Sequence, residues 1–296
     1  MSGTALSGPS QARLARVIAA HAVRESLRRR VLPIALALST AFLVLYGLGA
    51  HFAFGELDAI DPEALVEIDS RELAGATLSG LAMFATLFLG SVVATFLTLG
   101  IVRGDAESGL LQPLLARPVA RGTVLIARTA AAAALSVAYV VAVFALAALI
   151  TWIAGDYLPD QLPVALLQLA AAVVVITCIS VLVSVYVTST AQGIVVFMLF
   201  GAGLTAGLLG QIGEALDSDS LIDISRIASY ALPFEGLYQD GLFALTAETS
   251  GATGFLLSLG PFGGAQDAGL GLDLFAALYC VALLAAATSS VRRRDL

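Results

Sequence analysis

The strongest constraint on this chain is where its charges are missing. Six stretches are almost free of them: Val31–Ala50, Leu78–Leu99, Val124–Ala154, Val164–Val187, Ile194–Ile212 and Leu274–Val291. A helix needs roughly 20 apolar residues to cross a hydrocarbon layer about 30 Å thick, so each run is long enough to span. The runs are continuous, whereas barrel strands alternate apolar and polar residues over about ten positions. Some thirty residues with six arginines precede the first run, which is too late and too long for a cleavable signal. The expected fold is an all-α membrane protein. Its single polytopic domain, residues 1–296, has six transmembrane helices, an N-terminal interfacial helix over 1–30 and a large loop over 213–273 between helices five and six.

Composition agrees. The chain is 59% hydrophobic and only 12% charged, against about 25% charged in soluble domains. This excludes a water-soluble enzyme and a disordered protein. A net charge of −7 argues against a nucleic-acid partner, which would select a basic surface.

The arginines test the topology, because basic residues near span ends stay cytoplasmic. Thirteen of the fifteen fall on one side: six before span one, Arg103, Arg117, Arg121 and Arg128 around span three's entry, and Arg292, Arg293 and Arg294 after span six. Only Arg71 and Arg226 fall on the other side, against eighteen acids, a charge of −16; the arginine-rich side holds four acids and carries +9. Both termini are therefore expected in the cytoplasm, in a multi-pass protein of the cell membrane.

Three connecting segments are long enough to do more than connect. In the N-terminal segment, Leu14, Val17 and Ile18 share a helical stripe while Arg13 and Arg16 point elsewhere. This suits a helix lying on anionic membrane lipids; the competing reading is a basic tail that only sets topology. The segment 213–273 is too apolar for a solvated loop, with a helix-like Leu221–Tyr230, Leu-Pro-Phe at 232–234 and an apolar Phe255–Phe262. Short helices folding back onto the outer span ends are expected there, as packing or as a lid. Gly203 and Gly207 form a G-x-x-x-G in span five, followed by Gly210 and Gly213, which suits close helix packing with a partner in the same chain or in a second copy.

Chemistry is sparse. No span interior holds Asp, Glu, Lys or His, and the one arginine, Arg128, falls at a membrane edge, so the mark of an ion-coupled carrier is missing. His21 and His51 fall on opposite sides of the membrane, and Cys178 and Cys280 lie in separate spans without a partner motif, so no metal site is expected. A phosphate-binding Gly-Lys-Ser/Thr loop is impossible, because the chain has no lysine.

The third segment, Gly100–Thr123, is the most distinctive. It contains Glu107-Ser-Gly109-Leu-Leu-Gln-Pro113-Leu-Leu-Ala-Arg117-Pro118-Val119-Ala-Arg121. Asp105 and Glu107 suit a helix's first turn, Leu110, Leu111, Leu114 and Leu115 form one apolar flank, and Pro118 ends the element. The pattern alone fits either a docking ridge for a soluble partner or an interfacial loop that returns the chain. Here the sequence resembles the permease subunits of ABC-2 type transporters, whose first internal loop reads approximately E-x-x-G-T-L-x-x-L-L-x-x-P-V/I-S-R. Glu107, Gly109, Leu111, Leu114, Leu115, Pro118, Val119 and Arg121 fall on that pattern; Leu110, Pro113 and Ala120 depart from it, as does Ala127-Arg128 where Gly-Lys is usual.

The resemblance implies a permease subunit and not itself an enzyme. It would pair with a second permease chain and dock, through those eight residues, onto a separate P-loop ATPase that carries the ATP and Mg; no cofactor is expected on this chain. The alternatives from other classes are a membrane scaffold without cargo and an ATP-independent carrier.

Overall fold

The computed structural model describes residues 31–57, 70–99, 101, 121–159, 161–246 and 269–293. Among them the secondary structure is helical throughout: α1 (Val31–Leu57), α2 (Ser70–Thr98), α3 (Arg121–Gly155), α4 (Leu162–Tyr186), α5 (Ser189–Ala215), α6 (Asp219–Ala231), α7 (Pro233–Thr246) and α8 (Gly269–Arg293). Six of these, α1 to α5 and α8, are long and apolar enough to cross a membrane. The chain is an all-α, multi-pass membrane protein. The predicted N-terminal helix over 1–30 and the apolar run Phe255–Phe262 lie outside the described residues.

The helices overrun the apolar runs at most ends. Helix α2 begins at Ser70, before the expected Leu78, and α3 begins at Arg121, inside the expected loop 100–123. Charge marks where a chain leaves lipid, but backbone hydrogen bonding continues until a cap or a breaker stops it. In α4 the two limits nearly coincide, because Pro163 sits in its first turn, where a missing N–H costs nothing.

Helix α4 is the centre. It packs against α2, α3, α5, α7 and α8, and α1 is held by α2 and α3. An all-round apolar helix has no face that needs water, so it takes the interior position, and Leu169, Val173 and Ile176 are buried with Met83 and Leu87 of α2 and Val140 and Phe144 of α3. Lipid gives no hydrophobic drive for helices to associate, so close contact and polar bonds must hold them together. Gly90 of α2 lies against Val140 and Val173. Tyr46 and Thr151 hydroxyls bond at 2.6 Å and Ser39 bonds Tyr139, both tying α1 to α3. At the far end of α2, Thr98 meets Ser180 of α4 at 2.7 Å, and Gln192 Nε2 of α5 donates to the Ser180 carbonyl at 3.1 Å.

The two ends of the bundle differ in charge: Glu56, Arg71, Glu72 and Asp156 fall at one, and Arg121, Arg128, Arg292 and Arg293 at the other. At one, Gly75 of α2 lies against Tyr157, Gly155 lies against Phe54, and Arg71 donates to the Gly155 carbonyl at 3.4 Å. At the other, the start of α3 at Gly122 lies beside Thr288 and Arg292 of α8.

Candidate functional site

The segment after α5 does not stay at the bundle's end. Asp219 opens α6, which runs back along α5, so that Ile222 meets Gly213 and Ser225 meets Gly210. Leu232 and Pro233 then reverse the chain. Proline at the start of α7 with Glu235 in its first turn is a helix-start signature. Phe234 lies on Gly203 and stacks on Phe200 at 5.5 Å, both near the middle of α5. Helix α7 returns between α2, α4, α5 and α8, placing Gly241 against Met83 and Gln168. The two helices form a re-entrant hairpin, with α7 buried along most of its length and no residue of α6 fully buried.

The glycine pair Gly203/Gly207 therefore faces this chain's own hairpin, Gly203 against the Phe234 ring and Gly207 against the Glu235 carboxylate. A side chain at either position would occupy the space that those groups fill.

Helix α7 also brings in what the six spans lack. Glu235 and Asp240 are 3% and 8% exposed, and they are the buried carboxylates among the described residues. By sequence both fall among the acids of the segment 213–273, expected on the outer side. Asp240 Oδ2 accepts from Gln168 Nε2 of α4 at 2.6 Å. Glu235 accepts from Gln239 Nε2 at 2.9 Å and from Ser229 Oγ of α6 at 3.3 Å. Burial pushes the Glu235 carboxyl above the usual carboxylate range, and the Gln239 and Ser229 bonds only partly oppose it. Tyr238 is pushed up as well, by burial and then by the Glu235 charge.

Glu235 lines a cavity of about 600 Å³ between α5, α6, α7 and α8. Its polar part includes Gln211, Ser225, Ser229 and Gln239; its apolar wall is Ile222, Tyr230, Leu272 and Phe275. Tyr230 and Phe275 meet edge to face at 5.6 Å. Arg226, at the rim, is 63% exposed and pairs with Asp223 at 3.2 Å. Tyr279 of α8 donates to the Ala231 carbonyl at 2.7 Å, fixing the hairpin's turn against the bundle.

The loop residues singled out from sequence fall elsewhere. Glu107, Gly109, Leu111, Leu114, Leu115, Pro118 and Val119 lie outside the described residues, and Arg121 opens α3 at the arginine-bearing end. Cys178 and Cys280, on separate spans, are brought close to each other across α4 and α8. Among the described residues no three His, Cys, Asp or Glu side chains gather as metal ligands would.

A comparison with curated proteins finds no match. The family model described as "ABC-2 family transporter protein" matches residues 16–296, taking in every helix described above. This chain belongs to the ABC-2 transporter family.

Proposed function

We propose that the chain is the transmembrane permease subunit of an ATP-driven exporter, working as a pair of permease chains with separate P-loop ATPase subunits. The observation that carries this reading is the family match along residues 16–296; six spans free of interior ionisable groups leave the energy source to a partner. Both termini face the cytoplasm on this reading, with the arginine-bearing end inward and the re-entrant hairpin at the outer side. The ATPase docks against the loop 100–123. There Glu107 and Arg121 supply charge, and Leu111, Leu114 and Leu115 supply an apolar ridge beside Gly109, Pro118 and Val119. ATP and Mg bind the partner, and closure of its dimer moves the loop and, through it, the spans.

The test is co-purification with a P-loop ATPase followed by turnover in liposomes. Glu107→Ala and Arg121→Ala should each lower permease-dependent ATP turnover several-fold while insertion stays normal. Unchanged turnover in both would remove the loop from the contact, and the lack of any stoichiometric ATPase would favour a scaffold.

A further inference from the structure

The geometry points to an organic amine as the ligand of the cavity at Glu235: a protonated ammonium on an apolar body, with the Glu235 carboxylate as counter-ion. The cavity's 600 Å³ lies within the roughly 300–1,000 Å³ typical of small-molecule sites.

Its polar end is one-sided. Glu235 is bonded only by the neutral donors Gln239 and Ser229, and no ion pair engages it among the described residues. A buried carboxylate with no cationic partner calls for a ligand that brings both donors and positive charge. An alcohol brings one; an ammonium brings up to three together with a charge. Burying an unpaired carboxylate is costly, and a cationic ligand relieves that cost when it binds.

The other wall suits the rest of such a molecule. Tyr230 and Phe275 offer aromatic surface within the same cavity, able to hold an apolar body and to favour a nearby cation. An anion is opposed by Glu235, and the rim cation Arg226 is already paired with Asp223. A bare metal ion is a poor alternative, because calcium takes 6–8 oxygen ligands and magnesium near-ideal octahedral geometry. Against that the cavity sets a single carboxylate, its other oxygens being the neutral amides of Gln211 and Gln239 and the hydroxyls of Ser225, Ser229 and Tyr230, and no three His, Cys, Asp or Glu side chains gather among the described residues.

That the amine is cargo rests on the permease reading; that it binds does not. The experiment uses the full chain in nanodiscs of zwitterionic lipid, without any ATPase. Dansylcadaverine, a primary amine on an aromatic body, is compared by fluorescence titration with its N-acetyl derivative, which carries a neutral amide in place of the ammonium. The amine should bind roughly tenfold more tightly or better. Glu235→Gln should erase that difference, and Phe275→Ala should weaken both probes, the charged one at least as much. Equal affinity of the two probes for the unaltered chain, absence of saturable binding, or a preference that survives Glu235→Gln would overturn the proposal. Recruitment of an ATPase is read separately. Binding of the amine without recruitment sinks the permease reading alone, and recruitment without amine preference sinks this one.

Discussion

The seating of the hairpin on α5 can be tested at Gly203. A Cβ there would stand 2.5 Å from Phe234 Cζ and 3.1 and 3.2 Å from the ring's Cε atoms, where ordinary carbon contacts are about 3.5–4.0 Å. The ring would have to retreat by about 1 Å, and it has nowhere to go: Phe234 is 1% exposed and stacked on Phe200. Overpacking of that kind costs about 1–3 kcal/mol. Phe234→Ala errs the other way. In lipid the transfer contribution is reduced, but a void of about 80–100 Å³ at about 24 cal/mol per Å³ still costs about 2 kcal/mol. The double variant should cost less than the two singles together, by about 1–2 kcal/mol, because the new methyl enters the space the ring has left.

Hydrogen exchange of the α7 amides in nanodiscs reads this locally, since a hairpin can open without the bundle unfolding. Gly203→Ala should speed that exchange by roughly 5- to 150-fold, with α4 little changed. Unaltered α7 exchange in Gly203→Ala, or strict additivity in the double variant, would mean that the ring does not rest on Gly203 and that the hairpin sits elsewhere.

Two further outcomes are expected. Because burial raises the Glu235 carboxyl, the folded chain binds that proton more tightly than the unfolded one. The stability it contributes is full below the unfolded value of about 4.3 and is lost as pH rises through the folded value. The melting temperature of Glu235→Gln relative to the unaltered chain should therefore climb with pH from about 4.5 upward; Tyr238, the other titratable group facing Glu235, is pushed up and stays neutral through this window. A pH-independent difference would contradict the burial. The neighbouring thiols of Cys178 and Cys280 should be closed into an intrachain disulfide by copper–phenanthroline, protecting both from a polyethylene-glycol maleimide. Full labelling after oxidation would separate α4 from α8 at that level.

The six spans were legible because each is a long run that water would penalise at nearly every position, a signal carried by the residues themselves. Their ends were less so: Ser70 and Arg121 open helices at positions where the apolar signal has already stopped. The hairpin was half legible. Leu221–Tyr230 reads as a helix, and Pro233 with Glu235 in the first turn of α7 is a start signature available from sequence. Its depth was not legible, because Glu235 and Asp240 looked like loop charges. What shields them is Gln168, Ser229 and Gln239, and Gln168 lies on a span far away in the chain. The same holds for Gly203 and Gly207, whose spacing advertises a close approach without naming the partner. It holds again for Cys178 and Cys280, which meet through the register of α4 against α8.

Placing both buried carboxylates on α7 rather than on a span has an energetic logic. An Asp at the centre of a membrane-crossing helix costs about 2.5–3.5 kcal/mol at insertion. Helix α7 has 14 residues, about 21 Å at 1.5 Å per residue, too short to cross a layer about 30 Å thick. It has no need to be inserted alone, since α2, α4, α5 and α8 surround it and supply protein surface where a lone helix would meet lipid. The amide of Gln168 stands where water would otherwise solvate Asp240, and Gln239 and Ser229 do the same for Glu235. A chain can thus keep charge out of all six span interiors and still carry ionisable groups into its bundle. An uncharged set of spans therefore excludes ionisable chemistry along the spans themselves, but not in the cavity that α6 and α7 build beside them.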